Sequence, residues 1–191
     1  DSLAAGWAGF TGRLIEKAAP RPRGVPTAYV MQPFDVKLDY RGRPWCTVKF
    51  ELGHNEIGDV DEPEYQLADG LALLFTEVGL ELPKPVPVMR VDHQIAQKLH
   101  AVSEPGSERV RDLIDLQLLD KGEDLDFARV NATCVRLFEY RRQQAWPPTI
   151  ELGAGWDTLY EAVIEDVDVL PDAEAAVAWV NDLVRRIVGG T

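Results

Sequence analysis

The sequence predicts an α+β protein, on three observations. An alternating apolar and polar pattern with a central turn spans residues 34–52, two helical stripes flank a Pro-Gly turn at residues 92–119, and from residue 126 onward every apolar stripe has helical spacing. The front is therefore expected to form a small sheet and the rear a set of packed helices, with a boundary between 1–89 and 90–191.

Asp1–Ala8 reads as a helix end and Gly9–Lys17 as a strand. Three prolines and Gly24 make Ala19–Pro26 a loop, and Arg21 and Arg23 make it basic. In the first arm of the hairpin, Phe34, Val36, Leu38 and Tyr40 share one face and Asp35, Lys37 and Asp39 the other. Arg41-Gly42-Arg43 supplies the turn. The second arm sets Cys46, Val48, Phe50 and Leu52 against Trp45, Thr47, Lys49 and Glu51, so the first set is expected to be core and the second polar. Residues 55–64 are acidic but lack the regular oxygen spacing of a calcium loop, which predicts a solvated loop. Gln66–Val78 reads as a short helix, and Pro83, Pro85 and Pro87 force the following segment into an edge strand or connector.

Asp92 is a candidate N-cap for a helix with Ile95, Leu99 and Val102 inward, and Pro105-Gly106 breaks it. Ser107 is a candidate cap for a second helix, with Val110, Leu113, Ile114 and Leu118 inward. Asp126 caps a third, running to about Gln144, with Val130, Cys134, Leu137 and Phe138 inward and Arg129, Arg136, Arg141 and Arg142 outward; Trp146-Pro147-Pro148 stops it. Trp156–Glu165 is a fourth, with Trp156, Leu159, Tyr160 and Val163 as its stripe. Pro171-Asp172 opens the last, whose core positions are Val177, Val180, Leu183, Val184 and Ile187.

At 46% hydrophobic, the 191 residues suffice for one good core or two small ones. No apolar run is long enough to span a bilayer and no signal peptide stands at the front, so a cytoplasmic protein without membrane contact is expected. Cys46 and Cys134 are far apart and outside any Cys/His cluster, which points to a reducing compartment and against structural zinc. The net charge of −12 argues against a general nucleic-acid coat, yet residues 1–50 hold eight Lys/Arg against four Asp/Glu, and a basic front with an acidic rear predicts two different surfaces. GxxxxGK[ST], GxGxxG, HExxH and a Ser/His/Asp set are absent, which disfavours the commonest enzyme classes.

Off the stripes of the central helix pair stand Lys98 and His100 on the first helix and Asp112 and Asp115, three apart and on one face, on the second. An ammonium beside two carboxylates reads either as an interhelical salt bridge or as a phosphate contact whose carboxylate orients it or accepts a proton. Arg111 is a further phosphate contact or an i,i+4 partner of Asp115. His100 reads as a packed, hydrogen-bonded histidine and His54 as a loop residue. Glu51, ending the polar row of its strand, is an active-site carboxylate or a solvated charge paired with Lys49. The helix face of Arg129, Arg136, Arg141 and Arg142 reads as solvated surface. Arg21, Arg23, Arg41 and Arg43, with Tyr29, Tyr40 and Trp45 nearby, suit an RNA backbone and stacked bases.

The segment IAQKLHAV followed by RVRDLIDLQLL resembles the signature of AbiEii-type nucleotidyltransferase toxins, MenT-like ones in particular, and KLDYRGRPWCTVKFEL and AWPP resemble other elements of that family. The resemblance implies a polymerase-β-like nucleotidyltransferase sheet, present here in part, followed by an α-helical C-terminal domain. It implies a toxin of a toxin–antitoxin system that uses Mg2+ and a nucleoside triphosphate to add nucleotides to the 3′ acceptor end of tRNA, blocking translation, with a cognate antitoxin as a further partner. By position, Lys98 and Asp115 match the family's active-site lysine and aspartate, Asp112 a neighbouring motif carboxylate, and Glu51 the strand position of a metal-binding carboxylate. The family's Gly-Gly and Asp-x-Asp segments have no counterpart here. They are expected upstream of residue 1, which would leave these 191 residues inactive alone. The alternative expectation is a noncatalytic RNA- or protein-binding module that retains the family's helical half.

Overall fold

The computed structural model describes residues 5–21 and 30–190; Arg23 and Tyr29 lie outside them. The fold is α+β and divides into two compact units, residues 1–55 and 56–191. The division by contacts falls after Asn55, and the segment of Pro83, Pro85 and Pro87 lies within the second unit.

The first unit is a three-stranded antiparallel sheet of β1 (Phe10–Glu16), β2 (Gln32–Tyr40) and β3 (Arg43–Leu52), in that order. Alternation builds the predicted hairpin, with Val36 opposite Val48 and Phe34 opposite Phe50. Arg41 and Gly42 both take positive φ at the turn, 49° and 74°, the conformation a two-residue turn needs to match strand twist. Before β1, Gly6, Ala8 and Gly9 also have positive φ, and residues 6–9 form a turn; of the expected helix end, Ala5 is helical and residues 1–4 lie outside the described residues.

Two expectations fail in this sheet. The apolar face is exposed at Leu14, Val48, Phe50 and Leu52, because among the described residues of this unit no second layer packs on the three-stranded sheet to bury them. The register shifts at Leu38/Asp39, so that Trp45 is an extra residue on β3; its ring turns onto Phe10 instead of joining the polar row. The partner of Lys49 is Asp35 across the ladder, at 2.6 Å, and that hydrogen bond holds the Asp35 carboxyl below its ordinary value.

In the second unit, β4 (Glu64–Gln66) pairs antiparallel with β5 (Val86–Val88), and α1 (Asp69–Glu77) lies between them in sequence. Five helices follow: α2 (Val91–Val102), α3 (Arg111–Gly122), α4 (Phe127–Arg141), α5 (Trp156–Glu161) and α6 (Ala173–Gly189). α2 packs on α3 and α4, and α6 packs on α3, α4 and α5, closing one core around Leu99, Leu113, Leu116, Cys134, Tyr160, Val180 and Leu183. The predicted stripes of α2, α4 and α6 are all inside; in α3 Leu116 and Gln117 are buried while Leu118 faces out, and in α5 Leu159 is exposed. α4 stops at Arg141 because Arg142 adopts a left-handed cap, and α5 stops at Glu161.

Caps divide likewise. Asp126 accepts from the Arg129 N–H at 3.0 Å and Asp172 from the Ala175 N–H at 2.7 Å, as N-caps should. Asp92 does not cap: it sits inside α2, almost fully buried, where Arg90 donates at 2.7 and 3.0 Å and the Thr133 hydroxyl at 2.7 Å. Those partners outweigh burial and hold its carboxyl below the ordinary range. Ser107 precedes the cap position and ties the turn instead, donating to the Ala101 carbonyl at 2.8 Å.

The acidic loop is docked rather than solvated. Glu56 accepts from Arg141, the Ile57 carbonyl from Arg136 at 2.6 Å, and Asp59, buried, from Gln97 at 2.9 Å. Most of the supposedly solvated arginine face is therefore engaged, and Arg129 lies 3.7 Å from Asp92. Among the described residues no helix is long and apolar enough to cross a membrane.

Candidate functional site

The tight turn at residues 103–110 folds α3 back along α2 and brings the start of α3 beside the last turns of α2. Lys98 Nζ donates to Asp112 Oδ1 at 3.1 Å and to Asp115 Oδ2 at 2.5 Å. The i,i+3 spacing of the aspartates places both on the face turned towards α2, as predicted. Their environments differ: Asp112 is 3% exposed and Asp115 46%. The second oxygen of Asp112 accepts from Arg109 Nε at 2.8 Å, so this buried carboxylate aligns two cations at once.

Lys98, 23% exposed, opens onto a groove of about 710 Å³ whose wall also carries Arg109, Arg141, Gln94, Gln97 and Gln66. Gln94 is fixed by donation to the Met89 carbonyl at 2.6 Å and Gln97 by Asp59. Arg141 is gripped by Glu56, at 3.0 Å through Nε, and lies 3.2 Å from His100 Nδ1. Burial, with Arg141 adding to it, pushes His100 down to about 4, so its ring is neutral near pH 7 and Nδ1 accepts from Arg141. As expected, His100 is a packed residue, edge-on to Phe138; its Nε2 has no hydrogen-bond partner.

The predicted group Lys98, Asp112 and Asp115 is thus assembled. Arg111 is exposed and forms no ion pair with Asp115; Arg109 is the arginine that joins the cluster. Arg109 and Arg141 were not among the predicted site residues. Arg109 stands three before Asp112, and Arg141 follows Cys134 and Phe138 at helical spacing, which puts it at the inward margin of α4. Arg41, Arg43 and Glu51 belong to the first unit, Arg41 and Arg43 at the hairpin turn and Glu51 exposed on β3 opposite Pro33. Among the described residues no three His, Cys, Asp or Glu side chains converge to hold a metal ion.

The arrangement is thus a lysine and two arginines around one groove, each ion-paired with a carboxylate, with the half-exposed Asp115 beside the lysine. Over residues 5–184 the chain matches the family model described as nucleotidyl transferase AbiEii toxin, type IV TA system. The protein belongs to this family, and membership implies a nucleotidyltransferase toxin of a type IV toxin–antitoxin system. No curated protein matches the chain.

Proposed function

We propose that the protein is a toxin that transfers nucleotides from a nucleoside triphosphate to the 3′ acceptor end of tRNA and thereby blocks translation. The observation that carries this reading is Lys98 held between Asp112 and Asp115 at the edge of a groove that also presents Arg109 and Arg141.

In the transfer, the terminal hydroxyl oxygen of the RNA bonds to the α-phosphorus, the bond from that phosphorus to the pyrophosphate oxygen breaks, and pyrophosphate leaves with the electron pair. Lys98 and the two arginines meet the charge on the triphosphate. Asp115 orients Lys98 and accepts the hydroxyl proton, and Asp112 holds Lys98 and Arg109 in register. Arg41 and Arg43 meet the RNA backbone, with Arg111 as a further exposed cation near the start of α3.

Family membership makes Mg2+ the expected cofactor, one that would neutralise phosphate charge. A two-metal site needs several converging carboxylates, and among the described residues Glu51 has no such company, so these residues by themselves do not fit the ion. That same observation favours the second reading, a binding module that keeps the helical half to engage RNA or a protein such as an antitoxin.

Incubation of the full-length protein, carrying any Gly-Gly and Asp-x-Asp segments that precede these residues, with tRNA, Mg2+ and each labelled nucleoside triphosphate in turn separates the two. Labelled RNA supports transfer; absence of label with all four, alongside retained RNA or antitoxin binding, replaces the enzyme with the module.

A further inference from the structure

The first unit carries a cleft that the transfer site does not use. Paired residues of an antiparallel ladder share a face, so Phe10, Tyr40 and Leu38 stand on one side of the sheet together. The extra residue in β3 swings Trp45 onto this side, its ring 4.9 Å from that of Phe10 with the planes at 62°. Trp7, on a turn closed by hydrogen bonds of 2.8 and 2.7 Å with Phe10, lies nearly parallel to the Phe10 ring at 6.4 Å. Gly12 also lines this side. The result is an almost wholly apolar cleft of about 310 Å³ walled by Trp7, Phe10, Leu38 and Trp45. That is near the lower end, about 300 Å³, of ordinary ligand pockets, which suits a single ring system better than a helix.

The border of the cleft is cationic. The Arg41 N–H donates to the Gly9 carbonyl at 2.8 Å, and its guanidinium lies 5.1 Å over the Tyr40 ring, which itself packs on Phe10 at 4.7 Å. A side chain at Gly9 would press on Tyr40, its Cβ falling 3.2 Å from the ring, so the tyrosine packs closely over this turn. Arg43 opens β3 two residues before Trp45. Flat apolar walls answer a ring, and guanidinium groups beside them answer an anion attached to it. This positive patch stands out in a chain whose net charge is −12.

We propose that this cleft stacks one unpaired base of the RNA substrate while Arg41 and Arg43 hold the phosphate next to it. The proposal rests on the reading of RNA as the acceptor, but its parts are separate from the Lys98 groove. Single-strand binders combine aromatic platforms and cationic tracks in the same way.

The test measures binding of a fluorescent single-stranded RNA ending in unpaired bases, by anisotropy, with protein of unchanged far-UV spectrum and melting profile. Trp45→Leu, which keeps an apolar side chain but removes the platform, is expected to weaken binding by about tenfold or more. An RNA whose terminal bases are replaced by abasic sites should bind the wild type and Trp45→Leu equally. Arg43→Glu, at an exposed position, should weaken binding and flatten its salt dependence, and it keeps the test decisive if Trp45→Leu fails to fold. Unchanged RNA affinity in both variants overturns the proposal. So does a dimer seen by sedimentation that Trp45→Leu dissolves without altering RNA binding, which assigns the cleft to a second copy. Trp45-dependent RNA binding without nucleotide transfer would refute the enzyme and leave the stacking site standing; transfer with an RNA KM indifferent to Trp45→Leu would do the reverse.

Discussion

Replacing Lys98 with alanine distinguishes a phosphate-binding lysine from a lysine that only joins two helices. The arm to Asp115 ends on a 46% exposed carboxylate, and such pairs contribute about 0–1 kcal/mol. The arm to Asp112 ends on a carboxylate 3% exposed, and losing a charge-assisted bond there costs about 1–3 kcal/mol, held towards the middle of that range because Arg109 remains at 2.8 Å. The sum is about 2–3 kcal/mol, which for a domain of this size lowers Tm by roughly 10 °C. The protein should still fold at 25 °C, so activity can be read on native material. Removing a cation that stabilises charge developing in the transition state costs about 100-fold or more in rate. The assay pairs thermal melts with RNA labelling by the full-length protein under saturating triphosphate. The catalytic reading predicts a modest fall in Tm with labelling nearly abolished, and Lys98→Arg should recover stability better than rate, since a planar fork does not reproduce a point ammonium. A Tm drop of the expected size with labelling at the wild-type rate would show that Lys98 is a structural tie alone.

Three further outcomes test the helical unit. His100 is held down from 6.5 to about 4, so the unfolded chain takes up its proton first; stability is unaffected above about pH 6.5 and falls by about 3 kcal/mol between there and pH 4. Urea titrations of His100→Gln should show a shallower fall over that interval than the wild type. Tyr160→Phe removes a hydroxyl that receives from Gln117 at 3.1 Å and donates to the Leu170 carbonyl at 2.9 Å, and denaturant midpoints should register a loss of about 1–2 kcal/mol. Gly153→Ala places a Cβ 2.3 Å from the Trp156 indole nitrogen, which bonds the Ser107 carbonyl at 2.8 Å; a loss of about 1–3 kcal/mol with altered tryptophan emission is expected.

How far these features were legible depended on sequence distance. The hairpin and helix stripes are periodic, so Phe34 against Phe50 and the inward rows of α2, α4 and α6 follow from spacing alone. Lys98 with Asp112 and Asp115 was legible because one short turn joins their helices and the i,i+3 phase puts both acids on one side. Trp45 was misplaced because strict alternation has no means of registering an added residue, and a bulge reverses the parity of everything on one side of it. The acidic loop looked solvated because its partners, Gln97, Arg136 and Arg141, lie 38 to 85 residues away, and no local rule pairs them. Asp92 shows the same limit: a helix-start aspartate is a cap by local chemistry until Arg90 and Thr133 offer it two better donors inside the fold.

The charges around the groove also bear on the proposed transfer. Lys98, Arg109 and Arg141 supply three positive charges, and Asp112, Asp115 and Glu56, each bonded to one or more of them, supply three negative ones. A triphosphate therefore meets aligned donors without a large net attraction. In the proposed transfer, Asp115 takes the proton of the attacking hydroxyl, so one negative charge would disappear as charge builds on the departing pyrophosphate, making the cations stronger partners in the transition state than in the ground state. Asp115→Asn mimics the neutralised form before any reaction. It should bind triphosphate several-fold more tightly than the wild type by calorimetry, as expected from removing about 1 kcal/mol of exposed like-charge repulsion, and yet transfer nucleotide to RNA far more slowly. Weaker triphosphate binding by Asp115→Asn would mean that the aspartate is needed to hold Lys98 in place, and proton acceptance would have to be sought in another residue.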